Sequence, residues 1–276
     1  MRAVSLEYHD VTETGVPDAS GFPGASAASY KLTVAEFEDH LAALDAVPAS
    51  LRQLPNRTAP ASGAPPIYLT FDDGGISAAT HIAPRLEQRG WRGIFLVATG
   101  AIGTAGFMSE EQIRDLDARG HLIGAHSHSH PLRMGECSED ALRTEWRTSV
   151  AMLREILGGP VQIASIPGGQ YRRRVAEAAE EAGIRSLFTS EPETAIARMR
   201  ECQVYGRFTL RAGMPGEVAA ALAVGRGSAR ARQWIIWNGK KTLKRLGGDR
   251  YLSLRERIFA RRRDQSSVGP STSQQP

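Results

Sequence analysis

Cysteine is scarce in this chain of 276 residues, which contains only Cys137 and Cys202. Two separated thiols predict neither a disulfide framework nor a cysteine-based zinc site. No stretch approaches about 18 uncharged apolar residues, so no transmembrane helix is predicted. The first ten residues, MRAVSLEYHD, include one arginine but no apolar run of signal-peptide length. These absences predict a protein that stays in the cytoplasm.

Positive charge is concentrated near the C-terminus. Residues 226–263 hold thirteen Lys and Arg against two acidic residues, a net charge of +11, whereas residues 1–225 carry a net charge of −6. The overall charge of +4 therefore does not by itself indicate nucleic-acid binding. We predict a catalytic domain over 1–225, a basic helical extension over 226–263 and a disordered tail, rich in Ser, Gln and Pro, over 264–276.

Strand and helix patterns alternate through the first 225 residues. The predicted strands cover residues 4–8, 67–71, 94–98, 121–125, 161–165 and 186–189. Capping boxes at Thr33-x-x-Glu36 and Ser109-x-x-Gln112 predict helix starts, and Ser138 is predicted to cap a long helix. Such alternation indicates an α/β protein with a parallel sheet, either open or closed into a barrel.

Residues capable of chemistry follow three of these strands. Asp72 and Asp73 end the strand at 67–71, a histidine cluster follows 121–125, and a Pro-Gly-Gly turn follows 161–165. Barrels and open α/β sheets both place their sites at the carboxyl ends of strands, so these residues are candidates for one site. Two adjacent carboxylates can serve a metal and a water, although an Asx turn before a helix explains them equally well.

The histidine cluster is the most informative feature of the sequence. Three of the seven histidines, His126, His128 and His130, fall within five residues. The i, i+4 spacing of the outer two predicts that they share one face of a helical turn, as ligands of one metal do. An extended backbone would instead place all three on one face, which makes His128 a lesser candidate ligand. Two imidazoles and a carboxylate form a triad with open positions, typical of a catalytic metal, while buried structural histidines are the alternative.

Two motifs carry a family resemblance. The segment Tyr68-Leu-Thr-Phe-Asp72-Asp73-Gly74 resembles the first motif of the polysaccharide deacetylases, the NodB-homology group related to family 4 of the carbohydrate esterases. Residues 120–131, GHLIGAHSHSHP, resemble the second motif. The resemblance covers about residues 1–210. It implies a distorted (β/α) barrel in a single domain, and a metal-dependent hydrolase that removes N-acetyl groups from an amino-sugar polysaccharide or lipid-linked sugar.

The resemblance also implies roles for individual residues. Asp72 would be the general base, and Ser127 would support the metal site without being a ligand. One divalent ion would be bound by Asp73, His126 and His130. Zinc is the default ion, and iron, cobalt or nickel also suit this ligand set.

Two positions depart from the family pattern. Ser165 occupies the place of an arginine that normally orients the base, so that arginine is absent or comes from elsewhere, with Arg172 to Arg174 as nearby candidates. Most members use a late histidine as the acid, yet this chain has no histidine after His130. One branch of the family resembles a circular permutation that opens with a Tyr-His element. In that branch His9 becomes the candidate acid, oriented by Asp10.

The implied products are acetate and a free amino sugar, as in exopolysaccharide or glycolipid assembly. The turn Pro167-Gly168-Gly169 is the candidate for binding the substrate or its oxyanion through a backbone amide. Two alternatives remain open. The site could hydrolyse another non-peptide C–N amide bond, or the chain could be a non-catalytic member that binds glycan, which the missing arginine favours.

The C-terminal segment combines apolar and basic residues. Trp234-Ile235-Ile236-Trp237 precedes a lysine-rich run, and six arginines lie between Arg250 and Arg263. This combination predicts peripheral contact with the anionic inner face of a membrane. A solvated helix packed on the barrel is the alternative. The pattern could also suit RNA, but we expect no nucleic-acid partner.

Overall fold

The computed structural model describes residues 1–47 and 65–239. The predicted basic extension 226–263 is therefore described only to residue 239, and the predicted tail 264–276 lies outside the described residues. The strands are β1 (Val4–Tyr8), β2 (Val11–Thr12), β3 (Leu32–Thr33), β4 (Ile67–Phe71), β5 (Ile94–Val97), β6 (Leu122–Ala125), β7 (Ile163–Ser165), β8 (Ser186–Phe188), β9 (Ala197–Met199), β10 (Cys202–Tyr205) and β11 (Phe208–Thr209). The α-helices are α1 (Ala25–Ala28), α2 (Val34–Asp45), α3 (Ala83–Gln88), α4 (Glu110–Ala118), α5 (Glu139–Leu157), α6 (Arg173–Glu181) and α7 (Gly216–Val224).

In the described part of the chain, nine strands form one curled sheet. Their order is β11-β1-β4-β5-β6-β7-β8-β10-β9, and only β9 and β10 pair in antiparallel fashion. β10 ends at Tyr205 and β11 begins at Phe208, although the two strands lie near opposite edges of this order. The three steps between these residues span at most about 11 Å, so the sheet must curl until its ends approach each other. The predicted α/β barrel in a single domain is confirmed as a partly closed, distorted form.

Strand register sets the positions of the predicted site residues. β1 pairs with β4 from Val4↔Ile67 to Tyr8↔Phe71, and β5 pairs with β6 up to Val97↔Ala125. All of these pairs are parallel, so their carboxyl ends share one edge of the sheet. The residues that follow β1, β4 and β6 therefore emerge at the same edge, with β5 between β4 and β6.

An aromatic stack supports this edge from within the core. Every residue of β1 and β4 is buried, as is typical of parallel strands covered by helices. The rings of Tyr8 and Phe71 lie 5.4 Å apart between centroids, and Phe95 continues the stack at 5.1 Å. Such pairs contribute about 0.5–1.5 kcal/mol beyond simple burial. The stack fixes the last residues of the strands that lead into the site.

Capping signals place three helices where the sequence predicts them. Thr33 and Ser109 each form a reciprocal capping box, and the Ser138 hydroxyl caps α5. The helix predicted after β4 is less regular, because residues 78–82 are π-helical before α3 begins. Pro84 has no N–H to continue the i→i−4 ladder, which accounts for the break in the helical pattern.

A further helix, residues 229–239, packs beside the edge strand β11. The Gln233 side chain pairs with both backbone groups of Thr209: Nε2 donates to the carbonyl at 2.8 Å, and Oε1 accepts from the amide at 3.2 Å. The side chain thus covers groups that an edge strand would otherwise expose. Among the described residues, no helix combines the length and apolar character needed to cross a bilayer.

Candidate metal and catalytic site

One carboxylate and two imidazoles converge at the carboxyl edge of the sheet. Asp73 follows β4, and the loop after β6 carries His126 and His130. The Nε2 atoms of His126 and His130 lie 3.4 Å and 3.3 Å from Asp73 Oδ1. All three atoms fall within 4.8 Å of one another. The fold therefore brings together the three residues that the sequence predicts as metal ligands.

The donor atoms of this cluster fit a divalent metal ion. Asp73 is buried, and its Oδ1 has no hydrogen-bonding partner among the described residues. Nδ1 of His126 lies 3.2 Å from the Ser165 carbonyl oxygen, which can only accept a hydrogen bond. The proton therefore resides on Nδ1, and Nε2 presents its lone pair to the cluster. An unpaired carboxylate oxygen beside imidazole nitrogens is a donor set that zinc binds.

The histidine loop is not the helical turn that the i, i+4 spacing predicts. Residues 126–130 form an irregular loop. Ser127 and His130 have φ values of 60° and 55°, and Asp73 has a φ of 78°. Left-handed backbone costs a residue other than glycine about 1–3 kcal/mol, and such strain is concentrated at functional sites. The two imidazoles are brought together by the left-handed turns of this loop and not by helical periodicity.

The remaining polar residues of this loop support it. Nδ1 of His128 lies 3.1 Å from Thr99 Oγ1, and His128 does not belong to the group of atoms that could share an ion. His128 is therefore not placed as a ligand. The Ser127 hydroxyl accepts a hydrogen bond from the His130 amide at 3.2 Å, which is the supporting position that the sequence predicts.

A buried guanidinium holds Asp72 beside the metal cluster. Arg207 is fully buried in the short connection between β10 and β11. Its Nη1 donates to Oδ1 of Asp72 and its Nη2 donates to Oδ2, each at 2.7 Å. Nη2 also donates to Oε1 of Glu7 at 2.8 Å. Bidentate pairing of this kind fixes both the charge and the orientation of a carboxylate.

The sequence analysis missed Arg207. It lies 135 residues from Asp72 and belongs to none of the recognised motifs. The nearby candidates Arg172 to Arg174 are exposed, and Arg173 pairs with Glu177 while Arg174 donates to the Gly135 carbonyl. None of the three contacts Asp72, and the arginine comes from elsewhere in the sequence, which is one of the two possibilities that the sequence analysis left open. Only the curl of the sheet, which strand patterns did not resolve, brings Arg207 to the site.

Ser165 connects Asp72 to a metal-ligand candidate. Its hydroxyl donates to Asp72 Oδ1 at 3.0 Å, and Nδ1 of His126 lies 2.6 Å from the same hydroxyl. With its proton on Nδ1, the imidazole donates to the hydroxyl, which in turn donates to the carboxylate. The family resemblance predicts an arginine at position 165, and in this structure Arg207 supplies that positive charge instead.

Both aspartates are held in the ionised form. Burial works to raise the pKa of Asp72, but the positive charge of Arg207 and the hydrogen bonds that Arg207 donates outweigh this effect and lower the pKa to about 2. For Asp73, burial also opposes ionisation, and contacts with the imidazoles of His126 and His130 hold the pKa well below its usual range. One carboxylate is thus available as a base and the other as a ligand.

His9 lies at the same edge of the sheet. One of its ring nitrogens is within 4.8 Å of carboxylate oxygens of Glu7 and Asp72. Its ring packs against Tyr30 with a centroid separation of 4.7 Å. Nδ1 is buried and has no hydrogen-bonding partner among the described residues. His9 is therefore near Asp72 and is held by ring packing.

Asp10 does not orient His9, contrary to the sequence-based expectation. Its Oδ1 accepts hydrogen bonds from the hydroxyls of Ser20 and Ser77 at 2.5 Å and 2.7 Å. Oδ2 has no partner within the described ranges. The carboxylate of Asp10 therefore joins the loops that carry the two serines.

In the turn that follows β7, one backbone amide remains a candidate donor. Pro167 carries no N–H, and the Gly169 amide donates to the Ile166 carbonyl at 2.8 Å. Gly168 has a φ of 69°, and a Cβ there would lie 2.8 Å from the Leu132 carbonyl oxygen. Glycine is therefore required at this position, and its amide is the candidate oxyanion donor of the predicted turn.

Comparison with known sequences finds a family model and two curated relatives that are similar to part of this chain. The sequence model of the polysaccharide deacetylase family matches residues 59–187. YxkH of Bacillus subtilis, a candidate polysaccharide deacetylase, is 25% identical over 155 residues, which cover 56% of this chain and 55% of YxkH. An uncharacterised protein of Geobacillus stearothermophilus is 30% identical over 127 residues, which cover 45% of this chain and 46% of that protein. The chain thus aligns with about half the length of these curated relatives.

Solved structures share the fold. The deacetylase PplD of Streptococcus pyogenes, determined with acetate, superposes with a TM-score of 0.61 at 21% identity, covering 79% of this chain and 96% of PplD. IcaB of Ammonifex degensii superposes with a TM-score of 0.60 at 23% identity, covering 80% of this chain and 97% of IcaB. The polysaccharide deacetylase BC0361 of Bacillus cereus superposes with a TM-score of 0.65 at 17% identity, covering 81% of this chain and 69% of BC0361. These similarities establish the fold of the chain.

Proposed function

We propose that this chain, which matches the polysaccharide deacetylase family over residues 59–187, is a metal-dependent hydrolase of N-acetyl groups. Its substrate would be an amino-sugar polysaccharide or a lipid-linked sugar. The supporting observation is the cluster of Asp73, His126 and His130 beside an Asp72 that Arg207 holds ionised. The PplD structure contains acetate, which is the product that this reaction would release.

One divalent ion, zinc by default and iron, cobalt or nickel as alternatives, would be held by Asp73, His126 and His130. When bound, it would polarise the acetamide carbonyl and lower the pKa of a water molecule. The protein supplies the orientation of its ligands. In particular, Ser165 fixes His126 through Nδ1, so that Nε2 faces Asp73.

Asp72 would act as the base. Its carboxylate takes a proton from the water as the new C–O bond forms. With a pKa of about 2, Asp72 is ionised at neutral pH. The Arg207 pair prevents the carboxylate from turning away. Oδ1 accepts from both Arg207 and Ser165, whereas Oδ2 accepts from Arg207 among the described residues and keeps a second lone pair for the proton.

His9 would act as the acid. When the C–N bond breaks, an unprotonated amine is a poor leaving group, and an imidazole suits proton donation near neutral pH. The proximity of His9 to Asp72 supports this role. The Gly168 amide would donate to the developing oxyanion. The balance of the reaction is one water consumed, with acetate and a free amine released.

The test is acetate release by metal-free protein with and without added Zn²⁺. Substrates are N-acetylglucosamine oligomers and a lipid-linked N-acetyl sugar. Zinc-dependent release is expected, and Asp72→Asn and His126→Ala should each abolish it. His128→Ala is the matched control, since it removes an imidazole from the same loop that is not in the cluster.

Two results would contradict parts of the proposal. An active His126→Ala variant would refute the metal assignment. Zinc binding without acetate release from any N-acetyl sugar would instead favour another amide substrate or a glycan-binding role.

The basic extension supports peripheral contact with an anionic membrane. On helix 229–239, Trp234, Ile235 and Ile236 are 48%, 63% and 45% exposed. These apolar side chains lie at the start of a segment with a net charge of +11, which suits a surface of anionic lipid. The predicted location at the inner face of the membrane forms part of this proposal.

Vesicle co-sedimentation tests this contact with the full chain. Binding to vesicles that contain phosphatidylglycerol, but not to pure phosphatidylcholine, is expected to fall several-fold in the double variant Ile235→Ser and Ile236→Ser. Leu132→Ser is the matched control, because Leu132 is 77% exposed and lies outside this helix. Equal binding by the double variant and the unmodified chain would contradict the proposal.

A further inference from the structure

We propose that Glu145 on helix α5 is a positioning residue that holds the histidine loop in its metal-binding shape. The inference rests on the proposed metal site and adds to it a residue that lies outside the two motifs recognised in the sequence. Glu145 is not a ligand candidate, since it does not belong to the cluster of Asp73, His126 and His130. It acts on the backbone between the two histidines.

The carboxylate of Glu145 accepts three hydrogen bonds from this loop. Its Oε2 accepts from the backbone amides of His128 and Ser129 at 2.9 Å and 2.8 Å. Its Oε1 accepts from the Ser129 hydroxyl at 2.5 Å. A single side chain thus binds two consecutive peptide units that lie between His126 and His130.

The opposite side of the loop is fixed by other groups. The backbone amides of Thr99 and Gly100 donate to the carbonyls of Ser127 and His128 at 3.1 Å and 2.9 Å. The loop is therefore bracketed, with its carbonyls bound by residues 99–100 and its amides bound by Glu145. The peptide unit joining His128 to Ser129 is bound on both sides, since its carbonyl accepts from Gly100 and its amide donates to Glu145.

The loop needs such support because its backbone is strained. Ser127 and His130 both adopt left-handed conformations, each of which costs about 1–3 kcal/mol. Such conformations persist only where surrounding contacts over-determine them. His130 is the ligand candidate further from β6, so its imidazole depends on the loop more than that of His126 does.

Helix α5 is a firm base for this support. Ser138 caps its first turn, and the neighbouring Trp146 is fully buried with its Nε1 donating to the Val175 carbonyl at 3.2 Å. A site residue held by a packed helix is positioned more closely than one held by a loop. Glu145 therefore anchors the histidine loop to a well-packed helix.

The test measures zinc affinity directly. Metal-free protein is titrated with Zn²⁺ in competition with a chromophoric chelator, for the unmodified chain and for Glu145→Ala and Glu145→Gln. Loss of residues that orient metal ligands typically weakens metal binding about 10–100-fold. We expect a loss in that range for Glu145→Ala. A smaller loss is expected for Glu145→Gln, whose amide can still accept from the backbone and donate to Ser129.

The matched control is Glu155→Gln. Glu155 is exposed on the same helix, and its replacement removes the same charge ten residues away, about 15 Å along the axis. Its zinc affinity should equal that of the unmodified chain. With Co²⁺ in place of zinc, the visible absorption bands should shift in Glu145→Ala and stay unchanged in the control, which reports ligand geometry independently of turnover.

The outcomes separate this inference from the proposed function. If His126→Ala abolishes zinc binding and Glu145→Ala binds zinc as tightly as the unmodified chain, the role of Glu145 is refuted and the metal site stands. If His126→Ala also leaves zinc binding unchanged, the metal site itself fails. Thermal unfolding of the metal-free protein shows whether Glu145→Ala is folded. If it is not, Ser129→Ala replaces it as the test, because that variant removes only one of the three hydrogen bonds to Glu145 and must weaken zinc binding measurably.

Discussion

At the scale of single residues, Arg207 decides how Asp72 is held. It donates to Asp72, to Glu7 and to the Thr189 carbonyl while fully buried. Two buried carboxylates share this one guanidinium, so its charge cannot be lost without leaving both uncompensated. The arginine therefore serves stability and chemistry together.

Replacing Arg207 by Met should destabilise the fold and abolish turnover. Removing one partner of a buried ion pair costs about 3–5 kcal/mol, because the remaining charge stays desolvated. Arg207→Lys keeps the charge but cannot bind both oxygens of Asp72, so it should fold and lose about a hundredfold in rate through misplacement of the base. Urea unfolding and acetate release measure the two effects.

Arg173→Lys is the control for Arg207→Lys. Arg173 is exposed and pairs with Glu177 on the surface of α6, so its replacement should change neither stability nor rate. A loss of rate in Arg173→Lys as large as in Arg207→Lys would contradict the assignment of the orienting arginine to Arg207.

The two thiols should differ in reactivity. Cys202 is buried, and burial, with a further contribution from the charge of Glu180, raises its pKa to about 11. The thiolate is the reactive form, so an Ellman reagent at pH 8 should label only the partly exposed Cys137 in the folded chain. A Cys137→Ser variant should show no labelling until it is unfolded. Rapid labelling of that folded variant would show that Cys202 is accessible.

At the scale of elements, the contact between α5 and the histidine loop should be pH-dependent. Burial works to raise the pKa of Glu145, but hydrogen bonds from Ser129 and from the amides of residues 128 and 129 outweigh it, so the pKa lies below the usual 4.5. A lowered carboxyl pKa in the folded state contributes stability above pH 4.5, and that stability is lost as the pH falls through the folded pKa.

The free energy of unfolding should therefore differ most between the unmodified chain and Glu145→Gln at neutral pH. The difference should shrink as the pH falls below about 4.5, where the unmodified carboxyl also becomes neutral. Urea unfolding of metal-free protein at pH 7, 5 and 3.5 measures it. A difference that is constant across this range would show that the charge of Glu145 does not contribute.

At the scale of the whole molecule, the metal cluster is assembled only by folding. Asp73 follows β4 and the two histidines follow β6, so an unfolded chain does not present the three donors together. A ligand that binds only the folded state stabilises it by mass action, by about 2.7 kcal/mol at a concentration one hundred times its Kd. Zn²⁺ should therefore raise the melting temperature of the metal-free chain.

The same measurement distinguishes the cluster from adventitious binding. The zinc-dependent rise should disappear in His130→Ala and persist in His128→Ala, since only the former removes a donor of the cluster. An equal rise in both variants would place the zinc elsewhere on the molecule.

The sequence alone determined the features that depend on short stretches of chain. Helix starts at Thr33 and Ser109 follow from capping boxes four residues long, and both were confirmed. The predicted ligand residues lie close to strand ends: Asp73 comes shortly after β4, and His126 and His130 lie in the short loop after β6. Since parallel strands end at one edge, local patterns were enough to bring Asp73, His126 and His130 together.

Only the tertiary structure decided how those residues are held. Arg207 reaches Asp72 across 135 residues because the chain passes from β10, which pairs with β8, directly to β11, which pairs with β1. Likewise, Glu145 meets the histidine loop through the packing of α5, and the left-handed backbone at Ser127 and His130 replaces the predicted helical turn. Periodicity and motifs report neighbours along the chain, whereas these contacts arise from the closure of the sheet and the packing of helices against it.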